Sequence, residues 1–85
     1  MIVHLKSAIS VEVRRFPTDV DDICIQKTKA IEGEVVKQYD CGDILLKADK
    51  CQREWGNGTS DWVLLSDFRL FNIRAQNIQA TEEAE

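Results

Sequence analysis

One histidine and three cysteines are the chain's candidates for metal binding or nucleophilic catalysis: His4, Cys24, Cys41 and Cys51. A structural zinc site draws its donors from closely spaced pairs that converge on the ion. No two of these residues stand at such a spacing, so buried structural cysteines and a surface histidine are the expectation. A Cys–His or Ser–His nucleophile would depend on His4 alone, close to the chain terminus. Asp19, Asp21 and Asp22 crowd one stretch. They lack the alternate-position spacing and the distal glutamate of a calcium loop, so a solvated turn is expected there. Gly33, Gly42, Gly56 and Gly58 are scattered and form no phosphate-cradling loop. These residues point away from an enzyme, and no cofactor or metal is expected.

Partner binding is the chemistry that the apolar residues offer. Ile23-Cys24-Ile25 stands between the aspartates and the polar residues 26–29. Its β-branched ends favour a short strand with Ile23 and Ile25 on the core face. The functional alternative is an exposed apolar tripeptide that docks on another protein. Trp55 and Trp62 bracket Asn57-Gly58. A cross-strand contact between the two indoles at a hairpin end is expected; the alternative is a pair of surface anchors for a partner. Ile23, Cys24, Ile25, Trp55 and Trp62 are therefore the candidate partner-binding residues.

The elements that must position them read as strands. Ile9-Ser10-Val11-Glu12-Val13-Arg14 alternates apolar and polar residues, the period of a strand with one buried face. Pro17 ends it, since proline lacks a ladder donor. Residues 34–37 and 44–47 form two strands of a hairpin, with Gly42 free to take the positive φ of the turn between them. Asn57-Gly58 predicts a type I′ hairpin joining strands at residues 51–55 and 61–65. Ser66-Asp67 predicts a cap for a single helical turn at residues 68–70. Phe71 and Ile73 resume the alternation, and residues 76–85 are expected to fray into an acidic tail. The fold class is mainly β: a small antiparallel barrel or half-barrel of about five or six strands, occupying residues 1–75 as one domain.

Composition narrows the partners. The 85 residues carry a formal net charge of −4, with 44% apolar and 31% charged side chains. Phosphate binding needs a basic face, so nucleic acid and anionic membrane are not expected. Lys27, Lys29, Lys37, Lys47, Lys50 and Arg53 have acids interleaved among them. No apolar run reaches the length of a membrane helix. An odd cysteine count without a Cys-x-x-Cys pair predicts a reduced, cytoplasmic setting. A chain this short buries little core, and a homo-oligomer would bury more.

The order of the pieces resembles the GroES-type co-chaperonins. Val11-Glu12-Val13-Arg14-Arg15 is followed by an acidic loop, then Ile23-Cys24-Ile25, Gly33-Glu34-Val35-Val36, Gly42-Asp43-Ile44-Leu45-Leu46, and residues 62–73. The similarity runs from about Val11 to Arg74. It implies a GroES-like barrel without catalytic function, whose Ile23-Cys24-Ile25 docks in an apolar groove of a chaperonin subunit. It also implies a ring in which first and last strands pair across subunits. Only residues 37–41 stand where that family has a long roof hairpin, so the chain resembles a divergent member without the roof. The alternative is an SH3-like or OB-like interaction module, such as a phage-encoded protein that inhibits a host protein, using Trp55 and Trp62 with Ile23 and Ile25 in the core.

Overall fold

The computed structural model describes residues 1–14 and 23–83. The proline turn and aspartate stretch expected at residues 16–22 lie outside the described residues. Five strands follow in order: β1 (Ile2–Arg14), β2 (Ile23–Gln38), β3 (Ile44–Glu54), β4 (Ser60–Ile73) and β5 (Ile78–Glu82). All pairings are antiparallel and belong to one sheet, ordered β2-β3-β4-β1-β5 with a further β1–β2 pairing. That extra pairing curls the sheet into a barrel-like ring. The mainly β class expected from the sequence is what the chain forms.

The strands are longer than their sequence pieces. Residues 23–25 and 34–37 belong to the single strand β2, and residues 44–47 and 51–55 fall largely within β3. The polar interruptions between them coincide with register shifts rather than strand ends. Shifts fall between His4 and Ile9 on β1, at Gly33 and after Val35 on β2, and between Ala48 and Lys50 on β3. A bulge inserts a residue, bends the strand and increases its twist, which lets long strands wrap a small core.

The helical turn expected at residues 68–70 is not formed, because β4 continues through it. Ala48 pairs with Arg69 and Lys50 with Leu64, so the intervening β4 residues bulge while the ladder resumes beyond them. Residues 75–82 do not fray. Ala75–Asn77 make one 3-10 turn, with Asp43 Oδ1 accepting the Ala75 N–H at 2.8 Å. Residues 78–82 then pair with β1 from Ile2 to Leu5. The β1 edge opposite β2 needs a partner, and Ile78 packs against the core.

The two tight connections share one chemistry. Tyr39 N–H donates to Asp43 O at 2.9 Å and Gly42 N–H to Tyr39 O at 2.9 Å. Trp55 N–H donates to Thr59 O at 2.9 Å and Gly58 N–H to Trp55 O at 3.1 Å. Gly42 and Gly58 have φ of 94° and 85°, and no other described residue has positive φ. The type I′ expectation fails because Asn57 stays at negative φ. Its Oδ1 instead accepts from Thr59 N at 3.1 Å and Thr59 Oγ1 at 2.6 Å, an Asx turn that leaves the left-handed step to glycine.

The core is thin and drawn from four strands: Val3, Leu5, Val11 and Val13 on β1, Ile31 on β2, Ile44, Leu46, Ala48 and Cys51 on β3, Leu65 and Ile73 on β4. Gly33 is needed in mid-strand rather than in a turn. A Cβ there would collide with Lys47 O and lie 2.7 Å from Ala48 Cα. The same glycine exchanges hydrogen bonds with Met1, accepting from the terminal ammonium at 2.8 Å and donating to Met1 O at 2.9 Å.

Candidate partner-binding face

The first residues of β2 lie antiparallel to the last residues of β1, with Ile23 opposite Arg14, Cys24 opposite Val13 and Ile25 opposite Glu12. Successive side chains of a strand point to opposite faces. Val13 is fully buried, so Cys24 turns inward beside it, while Ile23 and Ile25 turn outward with Arg14 and Glu12. Ile23 is 46% and Ile25 63% exposed. The stretch is a strand, as its β-branched residues suggested, but the phase is the reverse of the expected one. The partner of fixed orientation is Val13: the cysteine must take the inward place opposite it.

On the other side of β1, Leu65 is buried opposite Val13. Leu64 therefore faces outward near Arg14, whose Nη2 donates to Ser66 O at 3.1 Å. Leu64 and Trp62 alternate along β4, are both exposed, and pair with Lys50 and Gln52. Ile23 and Leu64 stand two strand spacings apart, about 10 Å, with Arg14 between them. Further along β4, Phe68 and Leu70 are the most and joint second most exposed large apolar side chains, and the Lys47 ammonium lies 5.0 Å from the Phe68 ring centre. Sequence reasoning missed Leu64, Phe68 and Leu70. The signal that would have found them is the phase of β4, which the expected helical turn concealed.

Trp55 and Trp62 are not brought across from each other. Trp62 pairs with Gln52, while Trp55 lies beyond Glu54–Ser60, the last pair of that ladder. Arg53 and Asp61 pair between them on the opposite face from Trp62 and make a two-pronged contact of 3.1 and 2.8 Å. The Arg53 guanidinium stacks 4.2 Å from the Trp55 ring centre. That guanidinium, by its hydrogen bonds, holds the Asp61 carboxyl below its usual 3.8. The tip thus carries Trp55 on an arginine platform, and the aromatic contact predicted between the indoles is replaced by a cation–π contact.

The candidates for covalent or metal chemistry are dispersed. His4 is flanked on both sides, by Ala30 of β2 and Ala80 of β5, so it is held rather than terminal and loose. Its Nε2 lies 3.3 Å from Glu82 Oε1, an ion pair when the imidazole is protonated. Cys41 is exposed in the β2–β3 turn, Cys24 is half-buried and Cys51 is buried. Burial pushes the Cys51 thiol up to about 11. Among the described residues no three His, Cys, Asp or Glu side chains converge on a common point, and no helix is long and apolar enough to cross a membrane. No protein-family model, curated protein or solved structure matches the chain.

Proposed function

We propose that the chain is a non-enzymatic protein-binding module whose docking face is the outer surface where β2, β1 and β4 meet. The observation that carries this reading is the exposure of Ile23 and Ile25 on a strand whose intervening Cys24 packs inward. Two large aliphatic side chains held in one orientation by a ladder lose little further entropy on binding. Leu64 and Trp62 extend the same face, and Arg14 supplies a charged centre for it. Each large side chain fully buried in a complex contributes about 1.5–3 kcal/mol.

The GroES-type resemblance implies that the partner is an apolar groove on a chaperonin subunit, engaged in the cytoplasm by a homo-oligomer of this chain. The β2–β3 connection, residues 39–43, is too short for a roof, so the role proposed is docking without a dome. The test combines Ile23→Asp with Ile25→Asp. Both sites face outward, so the variant is expected to keep its circular dichroism spectrum and melting temperature while losing binding to a purified chaperonin ring. Unfolding of the variant, or unchanged binding, would overturn the docking face. Light scattering of the native protein tests the oligomer: a monomer sinks the ring.

The hairpin tip favours a second reading, an interaction module that inhibits a cellular or host protein. Trp55 is 48% exposed and already stacked on Arg53, and aromatic–arginine clusters are common centres of binding energy. Trp55→Ala separates the two: a chaperonin docking face is indifferent to it, and a tip-centred complex loses most of its affinity.

A further inference from the structure

β1 has two edges, and they are satisfied differently. One edge pairs with β2 at residues 2–4 and again at residues 9–14. Because residues 2–4 also pair with β5, and Val13 also pairs with Leu65, β5 and β4 must share the other edge. They cover its two ends only. Between Leu5 and Val13, among the described residues, that edge has no ladder partner. One substitute contact exists: Ser7 N–H donates to Asn77 Oδ1 at 3.3 Å. Arg69 of β4 reaches Glu12 of β1 by an ion pair, which ties the far end of the gap.

The gap opens into a groove of about 610 Å³. Its floor is apolar: Leu5 and Ile9 from β1, Phe71 and Ile73 from β4. Those residues point toward the core, since Phe71 and Ile73 pair with the buried Leu46 and Ile44. Its mouth is polar. Lys6, Asn72 and Arg74 are exposed, and no carboxylate lines the groove. Among the described residues neither Lys6 nor Arg74 has an ion-pair partner.

We propose that this groove is a strand-addition site for an extended acidic peptide segment of a partner protein. A bare strand edge recognises extended backbone through ladder hydrogen bonds, and alternate side chains supply specificity. The period-2 geometry of a strand then dictates the occupant's pattern. Side chains facing inward must be apolar, to cover Leu5, Ile9, Phe71 and Ile73. Side chains facing outward lie beside Lys6 and Arg74 and must be carboxylates. The segment lies collinear with β5 and closes the seam that β5 and β4 leave between them. This site lies apart from the face bearing Ile23 and Ile25 and does not depend on it.

The test titrates the isotope-labelled full chain with the peptide acetyl-Glu-Val-Glu-Ile-Glu-amide and follows backbone amide shifts by NMR. The expected result is saturable shifts centred on Lys6, Ser7, Asn72 and Arg74. Combining Lys6→Glu with Arg74→Glu should weaken binding by about tenfold or more, as for opposite charges made like. The lysine version of the peptide should then bind that variant. Both residues are exposed, so the variant's spectrum should otherwise stay native. Methylating alternate peptide nitrogens should abolish binding, since it removes ladder donors. No shifts at millimolar peptide, equal affinity for the N-methylated peptide, or shifts confined to the Ile23–Ile25 face would each overturn the proposal. So would concentration-dependent self-association that disappears when residues 83–85 are removed, because the occupant would then be a second copy's tail.

Discussion

The ring has two seams, and they are closed by opposite means. Where β2 leaves β3, beyond the Ile31–Cys51 pair, one buried hydroxyl takes over from the ladder. Thr28 Oγ1 lies 2.7 Å from Gln52 O and 2.8 Å from Ala30 O, and shares its single proton between them. It accepts from Gln52 N at 3.2 Å and Ala30 N at 3.3 Å. Where β1 leaves β4, the equivalent gap is crossed only by side chains among the described residues, Asn77 at one end and the Arg69–Glu12 ion pair at the other. The first seam is closed, with Thr28 and Cys51 nearly inaccessible, while the second opens into a groove rimmed by Lys6 and Arg74. A small β fold can thus spend stability on one side of its ring and retain a usable edge on the other.

The largest effect should come from the sealed side. Gly33→Val drives a side chain into the backbone of Lys47 and Ala48, and overpacking of this kind costs about 3 kcal/mol. Chemical denaturation should show that loss, and a variant of native stability would mean that β2 and β3 are not in close apposition. Alkaline pH probes the same side. The Cys51 thiol ionises at 9.0 when exposed and at about 11 when folded, so the unfolded chain releases its proton first. Stability is intact below pH 9 and falls as pH rises toward 11, by roughly 3 kcal/mol across that window. Cys51→Ala should flatten that limb relative to the parent.

Thr28→Val keeps the shape and removes the hydroxyl, leaving buried backbone groups of Ala30 and Gln52 unpaired. A loss of about 2 kcal/mol is expected, together with faster hydrogen exchange at Gln52. On the open side, Asn77→Ala should cost less than about 1 kcal/mol, since the Ser7 amide it serves is exposed and water replaces it. Equal losses for the two substitutions would erase the distinction between the seams.

Much of the fold was legible in the chain. The alternation of Ile9, Val11 and Val13 marks the inward face of β1, and the glycines at 42 and 58 mark the two turns. Strand ends were less legible, because a polar residue at a bulge looks like a polar residue at a turn. Asp49, Ser66 and Asp67 sit at such bulges within continuous strands. The sequence marks Ile23 and Ile25 as a candidate pair on one face, but not the direction in which they point. Alternation says that Cys24 faces away from its neighbours; it does not say which of the two faces is the core.

By itself the sequence determined the period: which residues share a face, where glycine must turn the chain, and that the histidine and the three cysteines are not closely spaced. Those are local properties, set by the two-residue repeat of a strand and by the positive φ that glycine tolerates. Tertiary structure alone decided phase, pairing and edges. Cys24 faces inward because Val13 opposite it is buried, and Trp62 meets Gln52 because the ladder register says so. The bare edge of β1 is likewise a difference between two long-range pairings, β5 at one end and β4 at the other. Each of these depends on residues far apart in the chain, and no local pattern contains it.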